Sequence, residues 1–508
     1  MGKIRSKLLV IELDGASWDV MNPLISTGKL PNISSLNRNG ISGNLISDPP
    51  LISPRLWVSI FSGKKSSEHG IEFFGSSSKM VRSKRLWDIV NEKGFNVGVF
   101  GSFATWPPYP VNGFMIPSLF SVGPDTYPSE YQFLQELTLS ERKKNHSALK
   151  SENAPTSRLF PLANYAYKLK RHGVSLRTLF DSFLFFCNNF MAMSPENERY
   201  WKKGIMHQRI CTEFFSYLCK TYTPDFATFH IHLCDAVSHR YWKYYEPEKF
   251  PNVDRELISR YGNVIPNAYI ASDRTVGEFI SMADSDTTIM ILSDQGSMAL
   301  EKITETFELK PDIFLELFGV EKKVIPANIG YMTFLFFTDK ELMAGVSKSI
   351  EEVHFTDNMQ KVFEIVYEES MIGIRLTQKL WGIAVDPNRE IDLGDFGIEP
   401  FSKLFSPHKS DVSGDHKLEG ILIASGPGIK KGITIPDASI YDITPTSLSI
   451  LGFPVARDMH GMVLKNIFST DVNCSYIESY DSRGKVEQEV DDIDVDKVKS
   501  RLKALGYL

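Results

Sequence analysis

Apolar runs of strand length alternate with helical stretches in the first hundred residues of the chain. The run "LLVIEL" (8–13) precedes one helical stretch, and "NVGVFGSF" (96–103) follows another, "RLWDIVNEKG" (85–94). Strands that are separated by helices form mostly parallel sheets, covered on both faces. In such sheets ligands bind at the carboxyl ends of the strands. We therefore predict an α/β fold with its functional site at that edge.

Composition and charge argue against several classes of protein. The chain has 508 residues, of which 42% are apolar and 23% charged, so it can bury a large core. Its net charge of −6 provides no basic field for nucleic acid. No apolar run reaches the about 18 to 20 residues of a membrane-spanning helix, and we see no signal-peptide pattern. The five cysteines have no paired spacing, which indicates reduced thiols and a cytoplasmic protein.

Two irregular segments interrupt the alternating pattern. Residues 120–215 contain a polar, charged stretch (140–158) that is followed by predicted helices, so we predict a helical cap there. Residues 301–410 are predicted to be a second insertion, over the edge of the sheet. The core would then be assembled from residues 1–119, 216–300 and 411–508, with a C-terminal helix over 492–508.

Three predicted strands end in a carboxylate: Asp14, Asp235 and Asp294. A single aspartate at a strand end is usually a helix cap. Three of them at the carboxyl edge of one sheet are harder to explain in this way, because like charges so close together need a compensating cation. The pattern therefore favours a metal site at this edge.

Two histidines extend this carboxylate cluster. His239 follows Asp235 by four residues, so both lie on one face if a helix starts there. His416 stands in "SGDHKLEG", just before a later strand. Aspartate and histidine together suit zinc or manganese.

Ser53 is the candidate nucleophile. It precedes Pro54, which is typical of a helix N-cap followed by proline at the first helical position. The hydroxyl would lie at the positive end of that helix, where an anion is favoured. A plain N-cap serine is the alternative. Beside a metal, however, a hydroxyl becomes a nucleophile at neutral pH.

Six motifs, in this order along the chain, resemble those of a known family. They are "LDGASWDVMNPLISTGKLPN", "PPLISPRLWVSIFSGKKSSEHGI", "DAVSHRYW", "SDQG", "GDHKLEGILIASGPGIKKG" and "DITPTSLSILGFPVARDMHG". The sequence resembles the type I phosphodiesterase/nucleotide pyrophosphatase branch of the alkaline phosphatase superfamily. The resemblance implies an α/β, alkaline-phosphatase-like three-layer sandwich with a mostly parallel central sheet and inserted cap regions.

The resemblance also implies two divalent metal ions about 4 Å apart. One would bind Asp235, His239 and His416, with zinc expected. The other would bind Asp14, Ser53, Asp294 and the following residue, Gln295, with zinc, manganese or magnesium expected. Ser53 would attack phosphorus, and water would later release the covalent phosphoserine.

The sequence departs from the family pattern in two places. The family usually has histidine where this chain has Gln295, and an amide oxygen binds zinc less well than imidazole. After "EHGI" the nucleotide pyrophosphatases have an asparagine that binds a phosphate oxygen, whereas this chain has Phe73 and Phe74. Arg55 is the nearest candidate for substrate binding in its place, although a solvent-facing arginine is an equal alternative.

Four other histidines carry weaker signals. His230 and His232 point to one face of a strand, where a structural role is favoured over support of the metal ligands. We interpret His69 as a packing residue and leave His408 as a remote candidate for substrate contact.

The sequence predicts a metal-dependent phosphoester hydrolase, with a phosphodiesterase favoured. The substrate would be a small-molecule, lipid or glycan phosphoester. Two alternatives stay open: a degenerate member that binds a phosphorylated ligand without turnover, and a phosphotransferase. The oligomeric state is left open.

Overall fold

The computed structural model describes residues 7–72, 77–121, 123–137, 159–190, 195–300, 305–409 apart from short gaps (322, 330–331, 338, 368–370, 378–379 and 381–384), and 412–481. These residues form two compact units. The first lies within 7–300 and 413–481, and the second within 305–412. The predicted C-terminal helix over 492–508 lies outside the described residues.

The strands and helices are numbered along the chain. The strands are β1 (Lys7–Leu13), β2 (Ile41–Ile46), β3 (Val97–Phe100), β4 (Gly113–Ile116), β5 (Phe226–Ile231), β6 (Thr287–Leu292), β7 (Gly296–Ala299), β8 (Glu305–Leu309), β9 (Val324–Ile329), β10 (Met332–Phe337), β11 (His354–Phe355), β12 (Phe363–Tyr367), β13 (Met371–Leu376), β14 (Glu390–Asp392), β15 (Ile398–Pro400), β16 (Phe405–Lys409), β17 (Gly414–Lys417), β18 (Glu419–Ser425), β19 (Ile433–Thr434), β20 (Ala438–Ser439), β21 (Val455–Ala456) and β22 (Tyr476–Ile477). The helices are α1 (Trp18–Ser26), α2 (Pro31–Arg38), α3 (Ser53–Ser62), α4 (Ser66–His69), α5 (Leu86–Glu92), α6 (Leu159–Arg171), α7 (Leu176–Phe190), α8 (Glu196–Tyr222), α9 (Leu233–Tyr245), α10 (Arg255–Tyr261), α11 (Val264–Met282), α12 (Pro311–Leu317), α13 (Lys340–Glu352), α14 (Phe401–Leu404) and α15 (Ile443–Leu451).

The first unit is built on one large sheet. Its strands lie in the order β19, β2, β18, β6, β1, β5, β3 and β4, and β20 also pairs with β2. The strand β1 lies between β5 and β6 and is parallel to both, whereas β18 is antiparallel to its neighbours β2 and β6. The prediction of a mostly parallel sheet is confirmed.

Side chains of β1 alternate between two hydrophobic cores, one on each face of the sheet. Leu9 and Ile11 pack with residues of α1, α2, α8, α9 and α11. Leu8 and Val10 pack with residues of α3, α5 and α15. Because successive side chains of a strand point to opposite faces, a strand that is covered on both sides is apolar throughout. The fold is therefore the expected three-layer sandwich.

The helix α8 spans the predicted boundary between residues 215 and 216. Its residues Phe214, Phe215 and Leu218 are buried against the sheet, together with Phe229 of β5. The apolar side chains on this face continue through the predicted boundary, so the helix continues with them. The second half of α8, which begins inside the predicted cap segment, thus packs on the sheet as part of the helical layer of the first unit.

The second unit has its own core. The strands β12, β13, β10 and β9 form an antiparallel sheet, and β11, β14 and β15 form a smaller one. Phe314 of α12 and Ile350 of α13 are buried with Leu335 and Ile372 of the larger sheet. The role of this unit as a cap stays a prediction.

No helix among the described residues is both long enough and apolar enough to span a membrane. The expected cytoplasmic location stays a prediction.

Candidate active site

Asp14 lies immediately after β1 at the carboxyl edge of the sheet. Its backbone N–H donates to the carbonyl of Ile231, which continues the pairing of β1 with β5, and its side chain is fully buried. The next residue, Gly15, has φ of 63°, and a Cβ there would lie 2.8 Å from Oδ1 of Asp235. Only glycine accepts this turn without strain. The sequence Asp14-Gly15 therefore allows two of the predicted carboxylates to approach each other.

The predicted ligands Asp235, His239 and His416 meet in the structure. Asp235 lies in the first turn of α9, and Nε2 of His239, one turn later, is 3.4 Å from its Oδ1. The pairing of β17 with β7 brings Nε2 of His416 within 3.8 Å of the same oxygen. Nδ1 of His239 donates to the carbonyl of Gly414 at 3.0 Å, which turns Nε2 toward Asp235. This arrangement is typical of histidines that bind metals.

Asp294 and Gln295 follow β6 at the same edge of the sheet. Both residues are fully buried. The two carboxylate oxygens of Asp294 have no hydrogen-bond partner, and the amide oxygen of Gln295 has none either. The amide nitrogen of Gln295 lies 3.1 Å from Oγ of Ser53 and 3.2 Å from Nε2 of His416. Buried carboxylate oxygens without donors are costly, and a cation would satisfy them.

The hydroxyl of Ser53 points into this cluster. It donates to Oδ1 of Asp14 at 3.1 Å. The predicted N-cap role is wrong, because α3 begins at Ser53 itself and the extended Ile52 takes the cap position without a side-chain hydrogen bond. The hydroxyl is thus bonded to Asp14 and Gln295 and does not cap its own helix.

The three aspartates differ in acidity. Burial raises the pKa of Asp294 well above its ordinary value, and the nearby charge of Asp14 adds to this. Burial also opposes ionisation of Asp14, but hydrogen bonds with His230 and His232 hold its pKa well below the ordinary value. In Asp235, burial acts in the same direction and is outweighed by His239, so its pKa is lowered. Asp294 is therefore the carboxylate that most needs a cation.

Two groups of side chains in the described part of the chain can hold a metal ion. One consists of Asp235, His239 and His416, and the other of Asp14, His230 and His232. Within each group the ligand atoms lie within 4.8 Å of one another. The unpartnered oxygens of Asp294 add a further donor set beside them. The donors present therefore fit divalent cations.

The model of one protein family, described as type I phosphodiesterase/nucleotide pyrophosphatase, matches residues 8–314. The chain belongs to this family. The match begins in β1 and includes Asp14, Ser53, Asp235, His239, Asp294 and Gln295. Family membership supports a phosphodiesterase or pyrophosphatase type of hydrolase.

Solved structures of ectonucleotide pyrophosphatase/phosphodiesterase 5 are similar to this chain. The murine protein has 13% identity and a TM-score of 0.46, with 91% of this chain and 100% of that chain covered. The inactive murine variant in complex with AMP has 13% identity and a TM-score of 0.44, with the same coverage. The human protein has 12% identity and a TM-score of 0.44, with the same coverage. A comparison with curated proteins gave no match.

Arg55 is buried and has structural partners. Its guanidinium donates to the carboxylate and carbonyl of Asp48, the carbonyl of Pro50 and the hydroxyl of Ser66. Its Nε also lies 3.4 Å from a carboxylate oxygen of Glu72. These contacts brace the loop before α3, so Arg55 is not the solvent-facing arginine of the alternative, and its role in substrate binding stays a prediction.

His230 and His232 are more closely tied to the site than their sequence pattern indicated. Nδ1 of His232 lies 2.9 Å from Oδ2 of Asp14, and Nδ1 of His230 lies 2.9 Å from Oε2 of Glu12. The register of the parallel pair places Glu12 opposite His230. Comparing "IELDG" of β1 with "FHIHL" of β5 would have aligned acidic and imidazole side chains on one face.

The remaining candidates are His69, His408, Phe73 and Phe74. His69 is buried, with Nε2 3.0 Å from the hydroxyl of Ser59 and Nδ1 accepting from the N–H of Ile71, as expected for a packing residue. His408 lies in β16 of the second unit. Phe73 and Phe74 lie outside the described residues.

Proposed function

We propose that the protein is a metal-dependent phosphoester hydrolase that favours phosphodiesters and forms a covalent intermediate on Ser53. The observation that carries this proposal is the hydroxyl of Ser53, which is hydrogen-bonded to Asp14 beside the buried, unpartnered carboxylate of Asp294. A serine that had only a structural role would not need two buried carboxylates beside its hydroxyl. The substrate would be a small-molecule, lipid or glycan phosphoester.

The proposed cation ligands form two sets. Asp235, His239 and His416 would hold one ion, for which two imidazoles favour zinc. Asp14, Ser53, Asp294 and Gln295 would hold the other, for which zinc, manganese or magnesium are candidates. Bound cations would withdraw charge from the phosphoryl oxygens and from the attacking and leaving oxygens.

The side chains themselves prepare the attack. Asp14 accepts the hydrogen bond from Ser53, and its lowered pKa keeps it ionised at neutral pH. The amide of Gln295 donates to the same hydroxyl, which fixes its direction. Attack would form the bond between Oγ and phosphorus, break the bond to the leaving alcohol, and transfer one proton to that alcohol. Water would then cleave the phosphoserine bond.

One observation favours a second candidate function, the binding of a phosphorylated ligand without turnover. Gln295 is a neutral amide, and its amide nitrogen lies close to both Ser53 and His416. An amide in this position provides a weaker zinc ligand than imidazole, which would favour binding without turnover.

The experiment that separates the two functions is a metal-restoration assay. Chelator-treated protein is assayed with aryl phosphate monoesters and diesters after addition of Zn²⁺, Mn²⁺ or Mg²⁺. We expect turnover to return with at least one metal and to be faster with the diester. Absence of turnover with every metal and ester, together with metal-dependent binding of phosphate, would favour the binding function.

A further inference from the structure

Glu12 and His230 form a buried pair that has no part in the proposed reaction. Glu12 is fully buried within β1, and the side chain of His230 is only 1% exposed. One carboxylate oxygen of Glu12, Oε1, accepts from the hydroxyls of Ser102 and Thr228, and the other, Oε2, lies 2.9 Å from Nδ1 of His230. Glu12 therefore fixes the proton of His230 on Nδ1 and fixes the direction of the ring.

The other ring nitrogen of His230 is left without a partner. Its Nε2 is buried, makes no hydrogen bond and lies 3.5 Å from Oδ2 of Asp14. A lone pair that faces a carboxylate oxygen at this distance is unfavourable unless a positive charge lies between them. Either a proton or a cation must therefore occupy this position.

A third atom that could bind a cation, Nδ1 of His232, lies near Nε2 of His230 and Oδ2 of Asp14. Nδ1 of His232 lies 2.9 Å from Oδ2 of Asp14, and the rings of His230 and His232 are near parallel, with centroids 6.4 Å apart. The three ligand atoms lie within 4.8 Å of one another. A buried carboxylate that holds Nδ1 of a histidine while Nε2 faces outward is the usual support of a metal-binding histidine.

We propose that Asp14 Oδ2, His230 Nε2 and His232 Nδ1 bind a divalent cation, and that Glu12 orients His230 for it. Two imidazoles and one carboxylate suit zinc or manganese. This site is additional to the two ligand sets proposed above. It rests on the proposed function only because Asp14 belongs to both this site and one of those sets. It lies on the Oδ2 side of Asp14, whereas Ser53 and Trp57 contact Oδ1. The chain thereby offers imidazole ligands next to Asp14 although it has an amide at Gln295.

The test counts metal ions and does not need activity. Full-length wild type and the variants His230→Gln, His232→Gln and His239→Gln are dialysed to equilibrium against Zn²⁺ and, separately, Mn²⁺. His69→Gln is the matched control, because it removes a buried histidine that is bonded to Ser59 and the backbone. We expect His230→Gln and His232→Gln each to bind one equivalent fewer than wild type and than the control. Glu12→Gln should weaken that equivalent by about 10- to 100-fold.

The outcomes separate this inference from the proposed function. If His239→Gln loses one equivalent while His230→Gln and His232→Gln lose none, a proton lies between His230 and Asp14 and the inference is wrong. If wild type binds no metal, both proposals fail. Should one variant not fold, as judged by circular dichroism, the other still decides the question. An anomalous-scattering peak about 2.0–2.2 Å from all three ligand atoms would establish the position in a crystal.

Discussion

Asp235 and Asp294 both lie at the carboxyl edge of the sheet, Asp235 in the first turn of α9 and Asp294 shortly after β6, yet their surroundings differ. Asp235 has the ring nitrogens of His239 and His416 within 4.0 Å, whereas no hydrogen-bond donor reaches either oxygen of Asp294. The pKa of Asp235 is accordingly lowered, and burial raises that of Asp294 well above the ordinary value. The comparison teaches that a buried aspartate at one edge of a sheet can be either a stable carboxylate or one that depends on a cation. The neighbouring imidazoles decide which.

The largest effect should come from removing the hydroxyl near Asp294. We expect Ser53→Ala to lower kcat by at least about 10³-fold, because the nucleophile is lost, while the fold persists. The measurement is steady-state hydrolysis of an aryl phosphodiester. Ser62→Ala is the matched control, since Ser62 is a buried serine of the same helix whose hydroxyl donates to the backbone of Val58. Near-normal turnover in Ser53→Ala would contradict the assignment.

The next effect concerns the ligand set of Asp235, His239 and His416. His239→Gln removes one of its two imidazoles and should weaken zinc binding by more than about 100-fold, since a lost ligand costs more than a lost supporting partner. Zinc competition with a coloured chelator measures this affinity. An unchanged zinc affinity would show that Asp235, His239 and His416 do not bind the metal and that their proximity is only structural.

A smaller effect is expected at Gln295. Gln295→His adds an imidazole beside Asp294 and should raise zinc affinity there by about tenfold. The surroundings of Asp294 would then be more similar to those of Asp235. Zinc titration of both proteins, with the aryl phosphodiester as a second readout, tests this. Equal zinc affinity in wild type and variant would mean that the amide is not a ligand.

The last effect is on stability and not on metal binding or turnover, and it concerns a buried histidine whose charged neighbours are arginines. Burial, aided by Arg55 and Arg82, lowers the pKa of His69 to about 3. Below the unfolded pKa of about 6.5 the unfolded state binds more protons, so stability falls as the pH decreases. Between pH 7 and pH 5 wild type should lose about 2 kcal/mol more than His69→Gln. Urea unfolding, followed by tryptophan fluorescence at both pH values, measures the difference, and parallel losses would contradict it.

Much of the fold was predictable from the sequence, because β1, β5 and β6 are largely apolar runs that alternate with helices. The spacing of Asp235 and His239 correctly placed them one helical turn apart, near each other in the structure. The role of Ser53 in its helix was not predictable, since Ser-Pro is compatible with a helix that begins at either residue. The partners of Arg55 and the contact of Glu12 with His230 depend on loop packing and strand register, which no short motif encodes.

The central claim is that Ser53 forms a covalent bond to phosphorus. The most direct measurement is mass spectrometry of peptides from wild-type protein that was mixed with an aryl phosphodiester and metal and then quenched with acid. We predict a substrate-derived phosphoryl adduct on Ser53 that is absent from Ser53→Ala. Turnover with no adduct, or with an adduct on another residue, would contradict the account.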